Sequence, residues 1–330
     1  MSRHVNLAHL EFLTDDFGVW QHAHRRKIYR REGYALDDAA RGLIVAAYEQ
    51  RRDLAQTYLQ YIATSCQTTP ITNFFNSKRR ALPSSPSADA IGETYWGIAT
   101  CIAEQVCVEK AEATMQQLAP SLSFAESSLR GKAYILAGAV LINPSYAERL
   151  ADEITTLCQK QVTQDWPWPE ATATYANAIL PYALIQAGAS LGRDDYTQAG
   201  ITLLSFLNTT CLRDGVPSVI GNNGWYPKGG RPALFDQQPI DASYQVIANL
   251  AAYTASHNPT WLREAERFFA WFWGDNPLGR SLIRTDESCA DGLQAKGVSA
   301  NRGAESTICF LIAQAMLERT YRENTSESLD

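Results

Sequence analysis

No Cys-x-x-Cys pair occurs among the seven cysteines, which stand at 66, 101, 107, 158, 211, 289 and 309. Scattered thiols in odd number argue against a disulfide framework and read as reduced, small core residues. Histidine is scarcer still, with five residues at 4, 9, 22, 24 and 257. His22 and His24 form a His-x-His, but no second Cys or His cluster completes a ligand set, so no metal is expected. The glycine-rich dinucleotide fingerprint, the phosphate-loop signature and His-Glu-x-x-His are all missing, and no cofactor is called for. No stretch approaches a membrane span, and the opening MSRHVNLAHLEFL lacks the unbroken apolar run of a secretory signal. The expectation is a soluble protein of the cytoplasm with no membrane partner. An excess of positive charge is missing too: 29 Lys and Arg face 35 Asp and Glu, a net charge of −6. That balance argues against nucleic acid as the main partner.

What is present is apolar and helical. Hydrophobic residues make up 45% of the chain and charged residues 19%, enough to bury a large core. Strand signals are sparse, whereas apolar residues recur at steps of three and four, as in Leu43, Ala46 and Ala47 or Ile179, Leu180, Ala183, Leu184 and Ala187. The segments fall into two alternating sets. Those at 37–50, 89–105, 128–142, 173–190, 240–254 and 304–318 are apolar nearly all round and rich in Ala and Gly. Those at 5–25, 52–66, 109–118, 145–161, 194–208 and 259–273 are amphipathic and charged. A helix apolar on every side is enclosed by protein, and a one-stripe helix has its other face in water. Six inner helices alternating with six outer ones predict an all-α, (α/α)6 toroid. A helical solenoid is the alternative, which favours more regular repeats and capping repeats. No linker divides the chain, so one domain over 1–330 is expected, with a polar, frayed tail at 322–330.

In such a toroid the inner helices run in one direction, and their starts gather at one end of a cavity. Four motifs fall at those starts. Trp166-Pro-Trp168-Pro-Glu170 precedes Thr174-Tyr175-Ala-Asn177; its indoles either present faces for stacking on sugar C–H groups or anchor a loop. Gly224-Trp225-Tyr226-Pro-Lys228-Gly-Gly230 leads into Phe235-Asp236-Gln237-Gln238-Pro239, where an acid and two amides match the donors and acceptors of sugar hydroxyls. In the bland reading Asp236 caps the helix that Pro239 opens. Asp291-Gly292-Leu293 is followed by Asn301-Arg302-Gly303-Ala304-Glu305, with Glu305 either a buried polar anchor or a group of the site. Gly18-Val-Trp20-Gln21-His22 and Gly33-Tyr34-Ala-Leu-Asp37-Asp38-Ala-Ala-Arg41 complete the set, the last as an ion-pair network of structural or functional use.

Several carboxylates and aromatics around one cavity, without a nucleophile elbow, suit glycosidic-bond chemistry. One carboxyl protonates the leaving oxygen, and another activates water or attacks the anomeric carbon. A helix N-terminus lowers a carboxyl pKa, so the proton donor must owe a raised value to burial or to a neighbouring carboxylate; Asp37 beside Asp38 supplies such a neighbour.

The order GY-x-x-DD-x-AR, W-x-W-x-E with TY-x-NA, GWY-x-x-GG with FDQQPI, and DGL with N-x-GAEST resembles the six-hairpin glycosidase-like domain found alone or fused to bacterial glycosyltransferases. The resemblance runs from about residue 12 to 320. It implies an (α/α)6 barrel tied to oligosaccharide or polysaccharide metabolism. Two places depart from the family pattern, Ala39 and Ala176, and each removes a polar group from the expected cavity.

The leading expectation is a glycoside hydrolase acting on an oligosaccharide or glycan intermediate. Asp236 and Glu170 are the first choice as acid and base, with Asp38 and Glu305 in reserve. His22, Asp37, Arg41, Trp166, Trp168, Tyr175, Asn177, Trp225, Gln237, Gln238, Asp291 and Asn301 are expected to bind substrate. A phosphorylase is an alternative, because Arg41, Lys228, Arg231 and Arg302 adjoin the same motifs and suit phosphate. So is a non-catalytic glycan-binding subunit partnering a glycosyltransferase. A sugar epimerase or isomerase ranks below both, because such toroids use histidines on late inner helices and this chain has only His257 beyond residue 24.

Overall fold

The computed structural model describes residues 5–327. In chain order its helices are α1 (Ala8–Leu13), α2 (Leu36–Tyr48), α3 (Arg52–Cys66), α4 (Ala88–Ala103), α5 (Val108–Leu118), α6 (Leu122–Ala125), α7 (Leu129–Ile142), α8 (Pro144–Gln161), α9 (Ile179–Leu191), α10 (Asp194–Thr210), α11 (Pro239–Ser256), α12 (Pro259–Trp273) and α13 (Ala304–Glu327). Local chemistry sets their ends. Ser87 Oγ accepts from Ala90 N at the head of α4, Ser128 Oγ from Gly131 N at α7, and Asn258 Oδ1 from Thr260 N at α12. Pro239 and Pro259 occupy first turns, where a missing N–H costs nothing. Gly192 and Gly274 close α9 and α12 with positive φ. Among the described residues no helix is long and apolar enough to cross a membrane.

The chain divides into two compact units. An N-terminal unit comprises Ala8–Ile154 with Ala300–Ile308, and a C-terminal unit comprises Thr155–Ser299 with Cys309 onward and the residues before Ala8. In the N-terminal unit α4 packs between α2 and α7, and α3 and α5 lie against them from outside. Helix α2 is buried along nearly its whole length, whereas α3 buries a stripe at Leu54, Ala55, Tyr58, Leu59 and Ile62. Glycine makes the inner contacts possible: a Cβ on Gly97 would stand 2.4 Å from the Ala40 carbonyl oxygen, and one on Gly92 would stand 2.7 Å from that of Gly131. In the C-terminal unit α9 packs on α11, with α10 against α9 and α12 against α11.

Extended structure is confined to two-residue antiparallel pairs. The first, β1 (Ala23–His24) and β2 (Lys27–Ile28), has the register Ala23↔Ile28 and His24↔Lys27. Tyr34–Ala35 pairs with Phe74–Phe75, and Thr172–Ala173 with Tyr226–Pro227. Leu293–Gln294 pairs with Gly297–Val298.

Three expectations change. The outer helix read over 5–25 stops at Leu13, because the Asp15 carboxylate accepts from Phe17 N and Gly18 N and turns the chain. The inner helix read from 173 begins at Ile179, because the Asn177 side chain accepts from Thr174 N, donates to Thr174 O and holds a turn there. Residues 322–327, expected to fray, continue α13 to Glu327, while 328–330 and His4 lie outside the described residues. The described cysteines are thiols, six of them buried and Cys66 partly so.

Candidate active site

The richest charge constellation belongs to the N-terminal unit and is built from three inner helices. Asp37 and Asp38 lie in the first turn of α2, Arg41 one turn later, Glu93 on α4 and Glu305 in the first turn of α13. The Arg41 guanidinium is 2% exposed and fans out to three carboxylates. Its Nη2 donates to Asp37 Oδ2, its Nη1 to Glu305 Oε2 at 3.0 Å, and its Nε lies 3.3 Å from Glu93 Oε1. Asp37 and Glu305 keep 33% and 42% of their side chains exposed, so this network has an outer carboxylate pair above a buried pair, Asp38 and Glu93.

Burial, reinforced by the crowding of like charges, raises the proton affinity of the buried pair. Asp38 is pushed well above the usual carboxylate range, first by burial and then by the Asp37 charge, with Glu305 and Glu93 adding to the effect and Arg41 opposing it. Glu93 is raised to about 8, again chiefly by burial, with Arg41 opposing and Asp37, Asp89 and Glu305 reinforcing. Asp38 thus carries the raised value that a proton donor needs, although it sits in a first helical turn that favours the anion. Glu93 is one of the acids that the sequence places at the inner-helix starts, although it is not among the expected site residues. The available signal was an acid embedded in Ala-Ile-Gly-Glu-Thr-Tyr-Trp, an otherwise apolar inner-helix run.

Beside the head of α13, Asn301 organises His22. Its Oδ1 accepts from the backbone of Ala23 at 3.1 Å and of Arg302 at 3.0 Å, which fixes the amide's orientation. Its Nδ2 therefore donates to His22 Nδ1 at 2.8 Å, leaving the neutral ring's proton on Nε2. His22 is placed as a hydrogen-bond donor. Asn301, read from the sequence as a substrate ligand, is a brace for His22 and for the chain at Ala23. Among the described residues no group of His, Cys, Asp and Glu is arranged to hold a metal ion.

The other expected site residues belong to the C-terminal unit. The loop carrying Trp225 is tied to the one carrying Tyr175 by the Thr172–Ala173/Tyr226–Pro227 pairing and by Lys228 N donating to Ala171 O at 2.9 Å. Tyr175 and Trp225 face each other with centroids 6.0 Å apart, Tyr175 being 40% exposed. Trp225 holds φ at +56°, a strained value for a bulky residue. These two rings are the accessible aromatic surface of the loop.

Trp166 and Trp168 are a correction. Trp168 is fully enclosed and stacks on Phe206, and Trp166 packs edge-on to Phe206 and Tyr226 while its Nε1 donates to Glu170 O at 2.7 Å. They anchor a loop: Trp168 N donates to Trp166 O at 2.8 Å in a tight turn over Pro167, and both indoles are buried. Gln237 is likewise structural. It is fully buried, its Nε2 donates to Ser218 Oγ and Leu234 O, and its Oε1 accepts from Trp271 Nε1 at 2.8 Å. Its backbone also exchanges two hydrogen bonds with Leu293, and a Cβ on Gly292 would stand 2.7 Å from its carbonyl oxygen. That contact explains why FDQQPI and DGL occur together. Asn177, buried, braces the Thr174 turn. Gln238 occupies the position before α11 without a side-chain cap, so Asp236 is not that cap either. Asp236, Glu170 and Asp291 are partly exposed.

No protein-family profile matches the chain, and no curated protein does. Solved structures match it along nearly its whole length. A D-mannose isomerase is 12% identical with TM-score 0.72, covering 95% of each chain. The cellobiose 2-epimerase of Bacillus thermoamylovorans is 12% identical with TM-score 0.72, covering 95% of this chain and 96% of its own. The GH76 α-mannanase of Bacteroides thetaiotaomicron is 8% identical with TM-score 0.67, covering 96% of this chain and 95% of its own. The shared fold is the glycosidase-like (α/α)6 barrel, as the helix pattern predicts.

Proposed function

We propose that this protein is a carbohydrate-active enzyme, a glycoside hydrolase in which Asp38 is the general acid and Glu305 its partner. The observation that supports this reading is the Arg41 network, in which a buried carboxyl with raised proton affinity lies beside accessible carboxylates. In the reaction Asp38 gives its proton to the glycosidic oxygen as the bond to the anomeric carbon breaks, and Arg41 steadies the carboxylate left behind. Glu305, held by Arg41 Nη1, takes a proton from the attacking water or attacks the anomeric carbon itself. His22 donates to a hydroxyl through Nε2, and in the C-terminal unit Tyr175 and Trp225 offer faces for a sugar ring of their own. Asp236 and Glu170 form a second candidate pair, in the C-terminal unit.

The test is mass spectrometry of gluco-, manno- and galacto-oligosaccharides incubated with wild type, Asp38→Asn, Glu305→Gln and Asp236→Asn, with and without phosphate. Cleavage lost in the first two variants supports the assignment, and cleavage lost only in Asp236→Asn transfers the acid to the second pair. A phosphate requirement redirects the reading to phosphorolysis. Bound glycan without turnover identifies a binding subunit of the kind that partners a glycosyltransferase.

A second reading, a sugar isomerase or epimerase, draws on two of the similar structures. It needs a base for a carbon-bound proton. Among the described histidines, His22 presents an N–H, His9 Nε2 bonds Arg302 O, His24 stacks on Tyr29, and His257 closes the far end of α11. Products of unchanged mass but altered configuration, resolved by NMR, would favour this reading over hydrolysis.

A further inference from the structure

The net negative charge conceals a basic prong. Five of the chain's 29 Lys and Arg residues fall within positions 25–31: Arg25, Arg26, Lys27, Arg30 and Arg31. They lie on the β1–β2 hairpin and the 3-10 turn after it, and all five are exposed. Glu32 pairs with Arg31 at 2.6 Å, and Arg30 lies over the Trp20 ring at 5.4 Å. Arg25, Arg26 and Lys27 have no ion pair or side-chain hydrogen bond among the described residues. Three adjacent, unneutralised cations on a tight turn repel one another, and nothing in the fold of the hairpin requires them.

The backbone of the turn sharpens the point. The register His24↔Lys27 leaves a two-residue loop, Arg25-Arg26, and Arg25 has φ at +56°. Such loops favour glycine, asparagine or aspartate at that position, so an arginine there is retained against conformational preference. Strain of this kind gathers at functional sites.

The hairpin is also seated where an anion reader is useful. Asn301 Oδ1 accepts from Ala23 N, Arg302 N donates to Ala23 O at 2.7 Å, and Ala304 N donates to Gln21 O at 2.9 Å. Its root is thus fastened to the start of α13, the same turn that delivers Glu305 to Arg41. At the hairpin's flank the rings of His24 and Tyr29 stack, 9° from parallel, with Tyr29 41% exposed. Guanidinium forks and an aromatic face beside a sugar-processing centre match a sugar ring bearing an oxyanion.

We infer that the 24–31 hairpin is an anion-recognition element: Arg25, Arg26 and Lys27 hold a phosphate, sulfate or carboxylate substituent of the glycan processed at the Arg41 network. The substrate class is therefore an anionic carbohydrate. This rests on the sugar-processing reading above. It also explains how an anionic ligand tolerates a centre with four carboxyl groups, since its charge is held on the prong, away from the acids.

The test is isothermal titration calorimetry at low and at 0.3 M salt, with neutral oligosaccharides and their 6-phosphorylated, sulfated and uronic-acid counterparts. The proteins are wild type, Arg25→Gly/Arg26→Ala/Lys27→Ala and the single variant Arg25→Gly, which relieves the positive φ and so keeps the turn. Circular dichroism and thermal melting check folding. The expected result is that wild type binds one anionic class roughly tenfold or more tightly than its neutral parent, because charged hydrogen bonds are the strong ones. That preference shrinks in high salt and disappears in the triple variant, whereas the affinity for neutral sugar is unchanged. Which counterpart is preferred identifies the substituent. Equal affinity for neutral and anionic sugars, or a preference that survives the triple substitution, overturns the inference and leaves the sugar reading standing. Binding of no sugar at all overturns both. A further arm uses vesicles of anionic phosphatidylglycerol. Hairpin-dependent vesicle binding without a sugar preference overturns the inference in favour of a membrane surface.

Discussion

The two units use polar side chains in opposite ways. In the N-terminal unit four carboxyl groups are gathered around one guanidinium, and burial together with their mutual repulsion raises the proton affinity of Asp38 and Glu93. In the C-terminal unit the conspicuous buried amides are paired. Gln237 meets Ser218, Leu234 and Trp271, Asn208 meets Gln245 and Asn249, and Trp166 meets Glu170. A satisfied network fixes a shape, and an over-charged one stores a proton-transfer capacity. The difference separates residues that hold loops from residues suited to chemistry, although both kinds stand in equally distinctive motifs.

Substitutions can break this contrast, starting with the largest effect. Asp38→Asn should lower kcat by roughly a hundredfold to ten-thousandfold, the usual contribution of a general acid, while the fold is kept. Steady-state kinetics beside a thermal melt checks this, and a variant with full activity would return the acid's role to Asp236 or Glu170. Arg41→Leu removes the cation from beneath several acids and should cost about 3–5 kcal/mol in urea unfolding, as breaking a buried ion network does. Trp168→Ala in the other unit should cost a similar 3–5 kcal/mol or so by cavity formation alone. The two are told apart by pH, because only the Arg41 variant's loss should ease as the carboxyls are protonated.

The pH response sharpens the contrast further. Glu93 is raised in the folded protein from an ordinary 4.5 to about 8, so the folded state binds its proton more tightly. Stability from this group is complete below pH 4.5 and declines as pH rises through about 8. Glu93→Gln cannot ionise, and its melting temperature should fall less than that of wild type between pH 5 and 9. Equal slopes would show that Glu93 is not the group responsible. The smallest effect is expected from Tyr175→Ala, which removes an exposed ring of the C-terminal unit: an affinity for oligosaccharide about tenfold weaker by titration calorimetry, with little change in melting temperature, in line with about 1 kcal/mol for an aromatic contact.

Much of the helical plan was legible in the sequence. The segments read at 52–66 and 259–273 coincide with α3 and α12, and that read at 145–161 begins one residue late for α8. Periodicity is a local property, and it fails where a local turn interrupts it. Asp15 and Asn177 are such interruptions, each a short polar side chain that bonds nearby backbone in preference to continuing a helix. The site was legible in part. Asp37, Asp38, Arg41 and Glu305 stood out as acids and a base at helix starts, and the network joins three of them directly through Arg41. Glu93 was legible as one of the acids at the inner-helix starts but not as a site residue, and the basic hairpin was obscured because a global charge of −6 averages it away.

By itself the sequence determined the helical class, the alternation of enclosed and one-sided helices and the positions where motifs interrupt them. These follow from side-chain spacing along one chain. Only the tertiary structure decided what each motif residue does. Whether Trp168 stacks on Phe206 or faces a ligand depends on the wall it meets, and whether Asp38 is charged depends on burial and on neighbours up to 267 positions away, as with Glu305. Desolvation and Coulomb interaction act through space, so proton affinity belongs to the assembled fold and not to the residue.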